Sequence, residues 1–215
     1  MNKRIIFFLF IVVTISVNGQ TKIDELINIH LPGNVTKLDT IIKDVSVKNF
    51  FSQINNETYL IQKTQLDEKE NELNGLPSDI EGLRKSYNGC IKGFANSMKV
   101  NGYALSNSSE FKRDGYVYFK ASFINSKELK KKVVEANFLI LNEHAYIITY
   151  INNIDFNEKN KDDFMNSIKI EQSLKPSQTV GNSVAYKAGY ISGTVCFYLL
   201  LFGFIIFLYF KFRKK

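Results

Sequence analysis

A run of uncharged residues near the C-terminus constrains this chain more than any other feature. Residues 188–210 read AGYISGTVCFYLLLFGFIIFLYF, and a basic segment, KFRKK, follows at 211–215. A helix rises about 1.5 Å per residue, so this run would extend roughly 35 Å, enough for a hydrocarbon core of about 30 Å. The run is too long and too uniformly apolar to favour the alternative, a helix buried in a protein core. We therefore predict a transmembrane helix at 188–210 and a basic cytoplasmic tail at 211–215.

The N-terminus has the pattern of a secretory signal peptide. Lys3 and Arg4 precede an apolar stretch at 5–17. Val17 and Gly19 are small enough for the positions that a signal peptidase reads before its cleavage site. We predict a signal peptide at 1–19. The alternative is an uncleaved signal anchor, which would give two membrane spans with both ends in the cytoplasm.

The charge distribution predicts the orientation of the chain. The net charge is +7, but six of the 28 Lys and Arg residues lie in the two terminal segments, and residues 20–187 carry 22 cations against 21 acidic residues. Since Lys and Arg are retained on the cytoplasmic side, the domain is predicted to lie outside the cytoplasm, on the periplasmic side of an inner membrane. A eukaryotic source would instead make it a type I membrane protein of the secretory pathway. A nearly neutral domain does not favour nucleic acid as a partner.

Residues 20–170 have the patterns of one exported α+β domain. Ser78 and Glu81 match a capping box, in which Ser78 caps the helix. Apolar residues then recur every three or four positions, which predicts a helix over about 79–98. A shorter helix is predicted near 161–168. The stripe of the long helix consists of Ile80, Leu83, Tyr87, Ile91, Phe94 and Met98.

The remaining periodicity predicts strands joined by hairpins. Turn signals lie at Asn55-Asn56-Glu57, Asp114-Gly115 and Asn142-Glu143-His144. The order β-β-β-α-β-β-β-β-α predicts a mostly antiparallel sheet of about six to seven strands, with one long and one short helix packed on it. The polar, aperiodic stretch at 171–187 is interpreted as a flexible linker. The predicted strands are 26–31, 45–54, 58–65, 103–111, 116–124, 133–141 and 145–151.

Residues 25–170 resemble the PsbP-like α/β sandwich. The resemblance lies in INIHLP at 27–32, a hairpin leading into a helix, the run of strands, and FMNSIKI at 164–170. It implies a binding or scaffolding module, and it transfers no functional residue because no functional motif matches position by position. The whole chain also resembles small uncharacterised exported single-pass membrane proteins of Gram-negative bacteria.

Few side chains suggest chemistry. His30 and His144 are the only histidines, and neither has a second ligand at metal-binding spacing. The sequence has no G-x-S-x-G elbow, so it predicts no catalytic, metal or cofactor site. Cys90 is alone in the exported domain and is predicted to be a buried thiol. The lysine run at 130–132 precedes a strand, where lysines can discourage edge pairing, and it is interpreted as a solvated face. The alternative is a contact with anionic lipid or another polyanion.

Three functional hypotheses follow. The leading one is a non-enzymatic binding or scaffolding domain for an unidentified ligand, tethered to the bilayer by residues 188–210. The second is a small accessory subunit of a membrane complex, or a homo-oligomer. In it Gly189 and Gly193, four residues apart, would bring two membrane helices together. The third is a membrane-tethered hydrolase with a cryptic site that uses His144 or His30.

Overall fold

The computed structural model describes residues 19–42, 45–66, 76–128 and 131–182. Residues 1–18 of the predicted signal peptide, the span at 188–210 and the candidate helix contacts Gly189 and Gly193 lie outside these ranges, so they remain predictions. Within the ranges, no helix combines the length and the apolar character needed to cross a bilayer.

The described residues form two antiparallel sheets. Their strands are β1 (Thr21–Lys22), β2 (Ile27–Ile29), β3 (Thr36–Ile42), β4 (Val45–Ile54), β5 (Glu57–Gln65), β6 (Tyr103–Arg113), β7 (Tyr116–Asn125), β8 (Lys132–Leu141), β9 (His144–Asn152) and β10 (Lys169–Ile170). The large sheet has seven strands in the order β3-β4-β5-β9-β8-β7-β6, and the small sheet has the order β1-β2-β10. The predicted α+β class, with a mostly antiparallel sheet of about six to seven strands, is confirmed.

Three hairpins of the large sheet turn at the positions that the turn signals predicted, and each turn has two residues. Asn55, Asp114 and Asn142 each begin a turn at a φ of 52–53°. Asn and Asp tolerate this left-handed conformation, and its twist suits a two-residue hairpin. His144 was predicted to lie in the last turn, but it is the first residue of β9 and pairs with Leu141.

Two strands differ from the sequence prediction. The segment predicted as a strand at 26–31 forms β2 in the small sheet and does not join the large one. Strand β3 was not predicted at all. Its apolar residues are Leu38 and the adjacent pair Ile41 and Ile42, so the strand lacks the strict alternation that marks a half-buried strand.

Helix α1 runs from Ile80 to Val100. Its N-cap is Asp79, whose Oδ1 accepts the Gly82 N–H at 2.7 Å, so the prediction that Ser78 caps the helix was wrong by one residue. Four stripe residues are buried as predicted: Leu83, Tyr87, Ile91 and Met98. Ile80 is 43% exposed because it lies in the first turn, away from the sheet.

The large sheet is covered on both faces. Helix α1 packs over one face, where its stripe meets residues such as Phe123 and Phe138. The small sheet and α2 (Glu158–Asn166) cover the other face, where Ile29 and Phe164 pack against Tyr59 and Ile148. Helix α2 begins three residues before its predicted start because Asn157 caps it, accepting the Asn160 N–H.

The chain after β10 packs into the domain and does not leave it at residue 170. The β7–β8 ladder stops at Phe119 and Phe138. Beyond it the Gln178 side chain lies between the strands: Oε1 accepts the Val117 N–H at 2.8 Å, and Nε2 donates to the Val117 and Ile140 carbonyls at 2.8 and 3.1 Å. A glutamine amide has the same donor and acceptor groups as a peptide unit, so it replaces the missing backbone pair.

Other contacts continue along the same segment. The Asn142 N–H donates to the Ser177 carbonyl, and the Gly181 N–H reaches the Ser78 carbonyl at the start of α1. Short 3₁₀ turns lie at Gln172–Leu174 and Val180–Asn182. The predicted flexible linker at 171–187 is therefore corrected: its polar residues through Gly181 contact the domain, because buried backbone groups need their hydrogen bonds.

Candidate functional site

Three neighbouring strands, β4, β5 and β9, surround a small cavity on the face of the large sheet that does not carry α1. The cavity has a volume of about 140 Å³. We call it the basic pocket, and its lining side chains are Ser46, Lys48, Lys63, Gln65 and His144.

Strand register brings these residues together. Lys48 lies directly opposite Lys63 on the β4–β5 hairpin, and Gln65 lies opposite His144 on the β5–β9 pair. Directly opposed residues of an antiparallel pair project on the same face with Cβ atoms about 5 Å apart. The Asn55 turn fixes the β4–β5 register, whereas β5 and β9 are far apart in the chain, so only the tertiary fold brings His144 beside Gln65.

Asp24 neutralises one of the two lysines. Its Oδ2 accepts bonds of 2.5 Å from the Lys63 ammonium and the Tyr146 hydroxyl. Its Oδ1 accepts the N–H groups of Leu26 and Ile27 at 2.8 and 2.9 Å. Burial alone would raise the pKa of Asp24, but the bonds from Lys63, Tyr146 and Ile27 outweigh it and lower that pKa. The Asp24 carboxylate is therefore ionised and fully engaged.

Among the described residues Lys48 has no such partner: its ammonium forms no ion pair, although Asp39 lies opposite it on β3. The Asp39 carboxylate instead lies 3.6 Å from the Lys37 ammonium. With Lys63 balanced by Asp24, the basic pocket retains one net positive charge at Lys48.

His144 contributes a neutral imidazole at neutral pH. Its pKa is lowered from the ordinary 6.5, first by burial and then by the charge of Lys63, while Glu143 and Asp24 act in the opposite direction. A neutral imidazole offers one N–H donor and one acceptor. The pocket thus combines two ammonium groups with a hydroxyl, an amide and an imidazole, all able to donate hydrogen bonds.

A larger hollow of about 400 Å³ adjoins the basic pocket and shares Lys63 and His144 with it. Its mouth lies beside the segment that follows β10, since Leu174 contributes to the lining. A ligand group in the basic pocket could therefore extend into this hollow. The lining consists of Asp24, Glu25, Leu26, Lys63, Asn142, Glu143, His144 and Leu174.

A second charged group of the domain, next to α2, is internally balanced. The carboxylate of Glu135, 5% exposed, lies 2.6 Å from the Lys132 ammonium and 3.3 Å from the Lys161 ammonium. Both lysines also reach Glu158, at 2.9 and 3.0 Å. We call these four residues the α2 charge cluster. Because each charge in it has an opposite partner, it leaves little potential for a ligand.

The lysine run at 130–132 was expected to protect a sheet edge, but that expectation was wrong. Strand β8 lies inside the sheet between β9 and β7. Lys132 instead belongs to the α2 charge cluster, and its ammonium lies 4.3 Å from the centre of the Phe156 ring. The edge strands of the large sheet are β3 and β6.

The structure separates the two candidate histidines. His144 lies in the basic pocket, whereas His30 follows β2 and its backbone N–H donates to Ser167 Oγ at 3.0 Å. Cys90 is half-buried on α1, and burial raises the pKa of its thiol. In the part of the chain that the structure describes, no group of His, Cys, Asp and Glu is arranged to hold a metal ion.

Five residues of the site were not predicted from the sequence: Ser46, Lys48, Lys63, Gln65 and Asp24. One signal could have found two of them, because counting outward from the Asn55-Asn56 turn places Lys48 opposite Lys63. Two lysines directly opposed on one face are unfavourable and therefore informative. Asp24 could not be found in this way, since only the small sheet brings it to the pocket.

A comparison with solved structures finds chains that are similar to this one. The solution structure of cyanobacterial PsbP (CyanoP) from Synechocystis sp. PCC 6803 is similar to this chain, with a TM-score of 0.49 and 11% sequence identity, and the match covers 74% of this chain and 96% of that chain. The PsbP-like resemblance is confirmed as a weak, fold-level relationship, and at this identity it says nothing of function. No protein-family model matches the chain, and no curated protein matches it significantly.

Proposed function

We propose that this protein is a non-enzymatic binding module that holds an oxyanionic group, such as a phosphate or a carboxylate, in the basic pocket. The residual charge of Lys48 is the observation that carries the proposal. Two opposed lysines cost stability in the free protein, and an anion between them would offset that cost.

The surrounding groups fit an oxyanion. Each lysine supplies ammonium donors, and charge-assisted hydrogen bonds to an anion are stronger than neutral ones. Ser46, Gln65 and His144 add neutral donors around the same cavity. The volume of about 140 Å³ suits one compact group, while the adjoining hollow has room for the remainder of a larger ligand.

Titration of the purified full-length chain with inorganic sulfate, followed by calorimetry at constant ionic strength, tests this function. Sulfate keeps its charge near neutral pH, so it reports the pocket alone. We expect saturable binding, and Lys48→Gln should weaken it by roughly tenfold or more, since a hydrogen bond to a charged group contributes about 1.5–3 kcal/mol.

Lys92→Gln is the matched control, because Lys92 is an exposed lysine on α1, on the opposite face of the sheet. It removes the same charge and should leave sulfate binding unchanged. Binding that is absent in the unaltered protein, or that falls equally in both variants, would show that no oxyanion site exists at Lys48.

The membrane tether is the second part of the proposal. We infer that residues 188–210 hold the domain at the outer side of a cytoplasmic membrane, on the strength of the uncharged run and the basic tail. Protease added to intact spheroplasts should digest the domain, and carbonate washing should leave the protein in the membrane. Release by carbonate would refute the tether without affecting the sulfate experiment.

A hydrolase is the second candidate, because Ser46 and His144 share one cavity. A serine nucleophile needs a base within hydrogen-bond reach, and the described residues contain no hydrogen bond between these two side chains. Hydrolysis of an activated ester that disappears in both Ser46→Ala and His144→Gln would favour the hydrolase. Unchanged background hydrolysis in both variants would dismiss it.

A further inference from the structure

The two edges of the large sheet are protected to very different degrees. On β6 the register shifts at a bulge between Leu105 and Asn107, and Arg113 at its end donates to the Met165 and Ile168 carbonyls near α2. Such bulges and coverings blunt an edge. Strand β3 pairs without a register shift along β4, and among the described residues no strand covers its outer side.

Edge strand β3 also exposes unusual apolar surface. Leu38 is 53% exposed and Ile41 is 77% exposed, and Val35, directly before the strand, is exposed as well. Alternate residues of an edge strand direct unpaired N–H and C=O groups outward. An exposed, unbulged edge with apolar side chains is a template for a further strand.

The residue types on the two sides of Leu38 are arranged symmetrically, so that the segment is complementary to a second, antiparallel copy of itself. In an antiparallel pair of two copies centred on Leu38, Leu38 faces its own copy, and Thr36 faces Thr40. On the other face Val35 meets Ile41, and Lys37 meets Asp39. From Val35 to Ile41 each apolar residue thus lies opposite an apolar one, and each charge lies opposite its counter-charge, twice per pair. Ile42, the last residue of β3, would meet Asn34.

We propose that β3 is a homodimerisation edge, which pairs antiparallel with β3 of a second copy around a two-fold axis at Leu38. The two sheets would join into one of fourteen strands, seven from each copy. The Lys37 and Asp39 side chains, each 53% exposed, would form two intermolecular ion pairs across the seam.

The arrangement is compatible with two copies in one membrane. Directly opposed residues of an antiparallel pair share a face, so α1 of both copies would lie on the same side of the joined sheet. Gly181, near the end of the described chain, bonds to the start of α1. Both chains would therefore leave the domain toward one side, and both basic pockets would face the other.

The dimer is expected to be weak. Stable dimers commonly bury about 1,600 Å² in total, more than one strand pair provides. Confinement of two copies to a membrane would raise their effective concentration and support such an interface. The proposal is independent of the oxyanion site, since neither Lys37 nor Leu38 lines the basic pocket.

Cysteine crosslinking in membranes tests the register. In the full-length chain with Cys90 and Cys196 changed to serine, Leu38→Cys should form a disulfide-linked dimer, because opposed Cα atoms about 4.5–5.5 Å apart suit a disulfide. Thr36→Cys is the matched control: its copies would lie about 14 Å apart, four residues out of register, and should not crosslink. Absence of the Leu38→Cys dimer, or equal crosslinking of both variants, would overturn the proposal.

Charge exchange supplies a second measurement. In sedimentation of the detergent-solubilised chain, Lys37→Glu and Asp39→Lys should each weaken self-association by roughly tenfold, because like charges then lie opposite each other twice. A mixture of the two variants should associate as well as the unaltered protein, since every opposed pair is again of opposite sign. Failure of the mixture to associate, with both variants folded by circular dichroism, would exclude this register.

Discussion

The α2 charge cluster and the basic pocket both have a lysine that pairs with a carboxylate, but the charges are balanced in the cluster and unbalanced in the pocket. In the cluster, Glu135 and Lys161 are nearly inaccessible, and each charge lies within 3.3 Å of an opposite one. In the pocket, Lys48 and Lys63 lie opposite each other, and among the described residues only Lys63 has a carboxylate partner. The cluster joins α2 to the sheet, whereas the pocket keeps one charge unbalanced.

The difference gives a way to distinguish charged residues that stabilise the fold from charged residues that bind a ligand, even where the chain has no catalytic motif. A buried charge whose partners all lie inside the protein contributes to one folded arrangement, and its loss damages that arrangement. A charge that lies near a like charge is not stabilised by the folded protein, so a bound ligand of opposite charge would stabilise it. Variants of the two regions should therefore affect stability in opposite directions.

The largest expected effect is in the α2 charge cluster. Glu135→Ala removes the buried carboxylate that pairs with both Lys132 and Lys161, and it leaves Lys161 only the carboxylates of Glu158 and Asp162, which are more than half exposed. It should reduce the free energy of unfolding by about 3 kcal/mol, at the upper end for hydrogen bonds to a charged group. Urea unfolding followed by near-UV circular dichroism measures it, since the chain has eleven tyrosines and no tryptophan. Glu81→Ala, from an ion pair exposed by about three quarters, is the control and should change stability by less than about 0.5 kcal/mol. Equal effects of both variants would contradict the assignment.

Gln178→Ala removes hydrogen bonds of an uncharged side chain, whereas Glu135→Ala removes a charge. The Val117 N–H loses its acceptor, and the Ile140 carbonyl loses a donor. We expect the free energy of unfolding to fall by about 2 kcal/mol, the cost of leaving buried polar groups unsatisfied. Gln172→Ala, on the same segment but exposed, should have a smaller effect in the same unfolding experiment. A neutral result for Gln178→Ala would mean that the segment after β10 does not stabilise the domain.

Lys48→Gln should act in the opposite direction from Glu135→Ala. Removing one of two directly opposed lysines relieves their repulsion, so the protein without ligand should gain up to about 0.5 kcal/mol of stability at low salt. The gain should disappear at high salt, where exposed charges are screened. A clear loss of stability in Lys48→Gln would show that Lys48 has a structural partner and would remove the basis of the oxyanion site.

The smallest effect concerns the pH dependence at His144. Since the folded pKa of His144 lies below its ordinary 6.5, the unfolded chain takes up the proton first, and stability falls as the pH drops below that value. His144→Gln removes this titration, so the variant should lose less stability between neutral pH and mildly acidic pH. Parallel pH profiles for the two proteins would indicate that the imidazole of His144 is not affected by Lys63 and by burial.

Elements with strong local signals could be predicted from the sequence. The stripe of α1 and the turn residues Asn55, Asp114 and Asn142 appear directly in the pattern, because helix periodicity and positive-φ turns depend on neighbouring residues. Strand β3 had no such signal, since an edge strand exposed on both faces needs no alternation. The cap of α1 moved by one residue because Asp79 competes with Ser78 for the same first-turn N–H groups.

Most of the candidate site could not be predicted in the same way. His144 was identified as a candidate because histidine is rare in this chain, but its lysine neighbours come from β4 and β5. Asp24 reaches Lys63 only through the packing of the small sheet on the large one. Whether a lysine is balanced or not depends on such distant partners, so the sequence alone could not distinguish Lys48 from Lys132.

The sequence by itself determined the helix stripe, the hairpins and the α+β class, and it predicts the span at 188–210. Only the tertiary structure decided which charges are compensated, that the segment through Gly181 belongs to the domain, and that β3 is an open edge. The physical reason is the distance along the chain between interacting residues. Periodicity and turn conformation depend on neighbouring residues, whereas the partner of a buried charge or of a buried backbone group comes from residues far away in the chain.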